Sequence, residues 1–271
     1  MNLTPSQKKF KERMAGAGIH TVIHHGINKH LQGKHDQSMH GRKGPVKAGF
    51  EHWYGQVDSL IAAADKSKKP IQSIVIERAG FLGKPSLTTL DAIPKDQKIY
   101  RGTTTSGREE YLENPYPWTG QGGSANGTYY TDWHETAEDY ATNEIGPARL
   151  EAVRDRLIVA QLQPDANVLD FNSPKFAGKF THTYAIELQN EFISGYEKHL
   201  GRPLTSQEST NVHKLTDGPN WTNLLIMQGY DAMVFNADRK PWGEPERYTI
   251  VWNRGKVKVA NDMQNYGKNG F

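Results

Sequence analysis

The chain has 271 residues and contains no cysteine. This absence excludes disulfides, thiolate metal sites and a cysteine nucleophile, and it suits a reducing compartment. No apolar run approaches the ~18 residues of a membrane-spanning helix, so we expect a soluble protein without a membrane partner. Lys8, Lys9 and Lys11 are not followed by an apolar segment, and a secretory signal is therefore not expected.

Acidic residues are nearly absent from the first 48 positions, where Glu12 and Asp36 are the only two. Six of the eleven histidines lie there: His20, His24, His25, His30, His35 and His40. We interpret residues 1–48 as a basic, His-rich and flexible arm. Such an arm favours an acidic partner, and nucleic acid or virion proteins are the partners considered. His35, Asp36 and His40 are possible zinc ligands, but no pattern around them supports a site, and no metal is expected.

The remaining chain alternates short strand patterns with helical ones, which predicts an α+β fold. Mean hydropathy is low at −0.74, but 12 Tyr, 9 Phe and 6 Trp provide the bulk for a core. Residues 49–94 form a predicted helical lead-in, with a helix over 49–65 and either a helix or a strand over 70–79. Residues 95–271 form the predicted main domain. Helices are predicted over 135–144, 184–200 and 220–229, strands over 98–101, 127–132, 157–163, 167–171, 230–236, 247–253 and 256–260, and long loops over 102–128 and 237–246.

Three polar clusters in the main domain could carry chemistry. The first is Arg101-Gly102-Thr103 at a strand end, where a guanidinium donates two hydrogen bonds and a glycine lets a flat ring approach the main chain. The second contains Tyr129 and Tyr130 on a strand and Tyr140 on the next helix. A strand followed by a helix could place two of these rings on either side of a planar ligand.

The third cluster is Glu244-Pro245-Glu246, directly before a strand. A carboxylate held there could stabilise the oxocarbenium-like transition state of glycosyl bond cleavage. Each cluster has an ordinary structural interpretation when taken alone: a solvated arginine, core and edge tyrosines, or a charged loop. A functional interpretation is favoured by the three clusters together, because of their order along the chain and the predicted strands and helix that carry them.

Taken together, the clusters resemble the ADP-ribosyltransferase superfamily. The segment GTYYTDWHETAEDY resembles the motif of the poly-ADP-ribose polymerase type, YRG resembles the arginine motif of the toxin-like branch, and GYDAMVFNADRKPWGEPERYTIVWNRGKVKV is similar to the ending of such domains in phage and polyvalent bacterial proteins. The resemblance implies a split β-sheet core with flanking helices. The motifs form a hybrid, because tyrosine and threonine replace the Ser-Thr-Ser of the toxin-like branch.

The resemblance also implies roles for individual residues. NAD is the implied substrate, with Arg101 on a phosphate or ribose, the main chain of Gly102 on the carboxamide, and Thr103, Tyr130 and the ring partners Tyr129 and Tyr140 completing its site. Glu246 is the implied catalytic residue. The Glu-x-Glu spacing implies that Glu244 activates an arginine acceptor on a host protein.

The leader segment GKHDQSMHG resembles a short element of phage head, portal and morphogenesis proteins. The resulting expectation is a phage-encoded mono-ADP-ribosyltransferase that acts in the virion, the host cytoplasm or both. Two alternatives stay open: an NAD glycohydrolase that uses the same site, and an inactive virion or head protein that keeps only the fold.

Overall fold

The computed structural model describes residues 49–81, 83–113, 125–142, 153–176, 181–239, 245–264 and 266–267. The predicted arm over 1–48 lies outside these ranges, together with the zinc candidates His35, Asp36 and His40. Glu244 lies outside them as well. No helix within the described ranges is both long and apolar enough to cross a membrane.

The described residues form eight α-helices and one eight-stranded mixed sheet, which confirms the α+β fold class. The helices are α1 (Glu51–Tyr54), α2 (Val57–Ser67), α3 (Ile71–Arg78), α4 (Thr105–Glu113), α5 (His134–Thr142), α6 (Thr181–Leu200), α7 (Ser206–Thr216) and α8 (Thr222–Met227). Short 3-10 turns lie at Leu90–Ala92, Lys95–Gln97, Pro174–Phe176, Gly218–Trp221 and Arg254–Lys256.

The strands are β1 (Ser86–Thr88), β2 (Ile99–Gly102), β3 (Thr128–Thr131), β4 (Leu157–Leu162), β5 (Val168–Asp170), β6 (Ala232–Arg239), β7 (Pro245–Val251) and β8 (Val257–Ala260). Their spatial order is β1-β8-β4-β2-β3-β7-β6-β5. The two outermost pairs, β1 with β8 and β5 with β6, are parallel, and the pairs between them are antiparallel. The junction of β2 and β3 therefore lies at the centre of the sheet.

Side-chain alternation gives the sheet two faces with different covers. On the first face, Ile250, Met233 and Leu169 meet α1–α3 and α6–α8 in one cluster, while Tyr100 and Val159 meet α5 in another. We call this the helical face. On the opposite face, Ile158, Val259 and other apolar residues of the sheet form a cluster with Tyr111 of α4. The predicted helical lead-in shares the first of these clusters with the main domain.

Most predicted elements are confirmed to within a few residues. Residues 70–79 were predicted as a helix or a strand, and they are helical. Tyr248, Ile250 and Trp252 share one core cluster, as strand alternation predicts. A capping box starts α7, in which the side chains of Thr205 and Glu208 each accept a hydrogen bond from the other residue's main-chain N–H.

The prediction of a continuous loop over 102–128 is wrong, because α4 begins three residues after β2. Thr104 starts this helix by accepting a hydrogen bond from the Gly107 amide at 2.9 Å. The helix buries only one side chain, Tyr111, so its sequence lacks the apolar period that identifies a helix. Strand β1 also went unpredicted, since two of its three residues are exposed.

Candidate functional site

Strands β2 and β3 are paired at a single position, Tyr100 with Thr131, among the described residues. Continuing this antiparallel register places Gly102 across from Tyr129. The Thr103 amide donates to Arg156 on the β4 side, at 2.9 Å, so the N–H and C=O of Gly102 point the other way, toward β3. The carbonyl oxygen of Tyr129, which lies across from Gly102 in this register, accepts a hydrogen bond from Arg101 Nη1 at 3.1 Å. The main chain of Gly102 is thus directed toward β3 at a position where the two central strands are not paired. We call this unpaired part of the β2–β3 junction the gap.

Helix α5 lies directly on Gly102. A Cβ atom at this position would come within 1.9 Å of the Ala137 carbonyl oxygen and 2.6 Å of both the Ala141 nitrogen and the Tyr140 Cβ. Only glycine therefore allows α5 to rest on β2 at this point. Glycine here serves the packing of α5, while its main-chain N–H and C=O still face the gap.

Tyr129 stands on the helical face beside the gap. Its hydroxyl donates to the Ala125 carbonyl oxygen at 2.6 Å, and its ring packs against the large core cluster. Burial raises the pKa of Tyr129, so the phenol stays neutral at physiological pH. A neutral ring fixed at both ends is a ready stacking surface for a planar ligand.

The other predicted site residues fall on both sides of the sheet. The Cβ of Tyr140 lies over Gly102 on the helical face, and its side chain is 37% exposed. Tyr130 alternates with Tyr129 and is buried on the opposite face, with its hydroxyl bonded to that of Tyr111. Arg101 also leaves the strand on that opposite face, although its guanidinium reaches the edge of the gap. Thr103 follows β2, where its amide is bonded to Arg156.

Glu246 lies near the start of β7 on the helical face. It is 1% exposed, and its Oε1 accepts a hydrogen bond from Thr131 Oγ1 at 2.7 Å. The same Thr131 oxygen accepts from the Trp133 amide at 3.0 Å, which fixes the direction of the hydroxyl. A buried carboxylate needs such donors, because desolvation disfavours its charged form.

The Thr131→Val substitution removes the hydroxyl from this pair while keeping the shape of the side chain. Hydrogen bonds to charged groups contribute about 1.5–3 kcal/mol, so we expect a loss of that order in the free energy of unfolding. Chemical denaturation measures this loss, and Thr131→Ser, which keeps the hydroxyl, is the control. Equal stability of the valine variant and wild type would contradict the assigned role of Thr131.

Sequence reasoning missed the anchor that holds the start of β3. The Asn126 carbonyl oxygen accepts from Trp252 Nε1 at 2.7 Å, Gln72 Nε2 at 3.1 Å and Thr222 Oγ1 at 3.4 Å, and the Asn126 Nδ2 donates to Asn220 at 2.8 Å. Trp252 directly follows β7, Gln72 lies in α3, Thr222 begins α8, and Asn220 lies in the turn before α8. These hydrogen bonds hold the segment that carries Tyr129 in place. They join residues far apart in the sequence, so no local sequence pattern predicts them.

An acidic group lies on α5 beside the site. The carboxylate of Glu138 accepts from the Tyr266 hydroxyl at 2.7 Å, and burial, more than any other effect, raises the pKa of Glu138. Burial, with a smaller effect from Asp132 and Glu138, raises the pKa of Tyr100 to about 12. Folding therefore raises the pKa of both side chains.

The raised pKa of Glu138 predicts a stability effect that depends on pH. Its stabilising contribution is complete below the pKa of the unfolded chain and disappears as pH rises through the higher pKa of the folded state. Glu138→Gln removes this titration and keeps the acceptor oxygen. We therefore expect the variant to match wild type at low pH and to become the more stable protein as pH rises through that window.

Unfolding titrations across pH measure this difference. The control is Glu109→Gln, an exposed carboxylate on α4, which we expect to follow wild type throughout. A Glu138 variant that loses stability relative to wild type as pH rises would show the opposite sign and contradict the account.

Within the described ranges, no group of three or more His, Cys, Asp and Glu side chains is placed to hold a metal ion. Comparison with known proteins adds no relative: no protein-family model, curated protein or solved structure matches this chain. What can be inferred about function therefore rests on the geometry of the site and on its motifs.

Proposed function

We propose that the chain is a mono-ADP-ribosyltransferase that takes NAD as its substrate. The observation that carries the proposal is the arrangement on the helical face. There, Tyr140 lies over Gly102, Tyr129 lies across from Gly102 in the strand register, and Glu246 lies near the start of the neighbouring strand β7. The narrow junction of β2 and β3 supports an ADP-ribosyltransferase-type split core.

In this proposal the nicotinamide ring enters the gap beside Tyr129. Its carboxamide has one acceptor and two donor hydrogens, which match the N–H and C=O of Gly102. The Tyr129 ring stacks on one side of nicotinamide, and Tyr140, carried over Gly102 by α5, closes the other side. Arg101 binds the Tyr129 carbonyl at the edge of the gap and so helps to hold the β3 side of the site.

The reaction breaks the bond between C1′ of the ribose and the nicotinamide nitrogen. The bonding electron pair leaves with nicotinamide, which becomes neutral, and the ribose acquires oxocarbenium character. The Glu246 carboxylate stabilises that cation and bonds the ribose 2′-hydroxyl. An acceptor nucleophile then attacks C1′ and releases its proton. A water-excluded carboxylate is well suited to this role, because electrostatic attraction is stronger at low dielectric.

The proposed acceptor is an arginine of a host protein, with Glu244 activating its guanidinium. The proposed setting is a phage-encoded protein in the virion, the host cytoplasm or both, with residues 1–48 engaging virion proteins or nucleic acid. The Glu-x-Glu spacing and the leader segment support these points through resemblance.

Incubation of the full chain with NAD labelled in the adenylate part, with and without host lysate, tests the proposal. Transfer predicts labelled protein that is sensitive to arginine-directed chemical release, together with one nicotinamide freed for each label. Free ADP-ribose alone would identify a glycohydrolase instead. Absence of both nicotinamide release and NAD binding would overturn the proposal in favour of an inactive scaffold.

A further inference from the structure

Arg254 is a buried cation on the opposite face of the sheet, away from Tyr129 and Glu246. It lies in the turn between β7 and β8 and is 1% exposed. Its Nη1 donates to the Tyr111 carbonyl oxygen at the end of α4, and its guanidinium carbon lies 4.5 Å from the centre of the Tyr111 ring. The residue thus joins the sheet to α4.

The cluster around Arg254 contains unused hydrogen-bond donors. Arg254 Nε and Nη2 are buried and have no hydrogen-bond partner among the described residues. Tyr130 donates its hydroxyl hydrogen to the Tyr111 hydroxyl, which leaves the hydrogen of Tyr111 for a further acceptor. All of these groups are donors, so the ligand that would satisfy them carries acceptors. An unsatisfied buried polar group costs about 1–3 kcal/mol, and more when it is charged, so this arrangement calls for an explanation.

The positive charge of the cluster also favours an anionic ligand. Arg101 leaves β2 on this face, and its charge acts on Arg254, Tyr111 and Tyr130. Desolvation lowers the pKa of Arg254, and repulsion from Arg101 adds to that effect. In the described part of the chain, neither guanidinium has a carboxylate within ion-pair distance; Glu110 acts on Arg254 only from further away. Two cations near one apolar cluster destabilise each other unless an anion joins them.

We propose that Arg254 and Arg101, with the Tyr111 hydroxyl, form a binding site for a phosphate group. A phosphate has several acceptor oxygens, no need for a donor, and the geometry that guanidinium groups bind in pairs of hydrogen bonds. Helix α4 covers the site and buries only Tyr111 among its own residues. The phosphate oxygens accept from Arg254 Nε and Nη2 and from the Tyr111 hydroxyl, the donors that the described residues leave unsatisfied.

Calorimetric titration of the full chain with inorganic pyrophosphate tests the site, at an ionic strength held constant with sodium chloride. We expect saturable binding in wild type. Arg254→Met should weaken it by about tenfold or more, because hydrogen bonds to a charged group are lost. Tyr111→Phe removes one donor without changing charge, and a smaller weakening is expected; this variant also decides the question if Arg254→Met does not fold. The control is Arg78→Met, which removes an exposed positive charge on α3 and should leave the affinity unchanged.

Two sources of the phosphate are separated by competition with ADP-ribose. If ADP-ribose displaces pyrophosphate and Arg254→Met weakens both, the site takes the diphosphate of the nucleotide. If pyrophosphate binds unchanged in saturating ADP-ribose, the site takes a separate phosphate group. No saturable pyrophosphate binding to wild type, or full affinity in both Arg254→Met and Tyr111→Phe, would overturn the inference. Binding of pyrophosphate does not require turnover of NAD, so this result stands or falls independently of the proposed transferase activity.

Discussion

Replacing Glu246 by glutamine is expected to lower the rate of nicotinamide release from NAD by about 100-fold or more, while NAD binding is retained. The substitution keeps the size of the side chain and an oxygen that can accept from Thr131 Oγ1. It removes the negative charge that stabilises the cation at C1′, and loss of one well-placed electrostatic group in an active site costs about 100- to 1,000-fold in rate. Chromatographic detection of nicotinamide measures the rate, and calorimetry measures the binding.

The control for this prediction is Glu109→Gln, which removes an exposed carboxylate from α4. We expect it to turn over at the rate of wild type. If the Glu246 variant also keeps the full rate, Glu246 is not the catalytic carboxylate. If the Glu246 variant loses NAD binding together with activity, the carboxylate contributes to binding of NAD in the ground state rather than to stabilisation of the transition state.

Replacing Gly102 by alanine is expected to produce the largest loss of stability in this part of the molecule. The added methyl group would lie 1.9 Å from the Ala137 carbonyl oxygen, an atom of the α5 backbone that cannot rotate away. Overpacking against backbone typically costs about 1–3 kcal/mol, and we expect the upper part of that range. Because α5 carries Tyr140, its displacement should also weaken NAD binding.

A matched glycine is available for comparison. Gly55 follows α1 at a φ of −71°, and an added Cβ there would meet no heavy atom within 4 Å. Gly55→Ala should therefore leave stability unchanged or raise it slightly, since alanine restricts the unfolded chain. Chemical denaturation of both variants checks the pair. A Gly102 variant as stable as the Gly55 variant would show that α5 does not rest on β2 as described.

Local patterns predicted much of the fold and one side of the site. In β3 and β7, the alternation of side chains is sufficient to predict that Tyr129 and Tyr248 lie on the core-facing side of their strands. The same alternation puts Thr131 on the face of Tyr129, so its role beside Glu246 was within reach of the sequence. Arg101 was predicted as a ligand group, yet alternation with Tyr100 already implied that it leaves the strand on the opposite face.

The rest of the site depends on contacts between distant segments. The anchor at Asn126 joins Gln72, Thr222 and Trp252, and no spacing along the chain encodes that meeting. Arg254 belongs to a tight turn in the sequence, and its burial follows only from α4, a helix without apolar periodicity. Such features arise from tertiary packing, which single-sequence patterns do not report.

The crystal structure of the Glu246→Gln variant with NAD tests the central claim most directly. The account predicts nicotinamide in the gap between β2 and β3, with its carboxamide bonded to the N–H and C=O of Gly102 and its ring against Tyr129. The ribose should lie beside residue 246. NAD bound elsewhere on the chain, or crystals soaked in saturating NAD in which β2 and β3 remain closed around an empty gap, would contradict it.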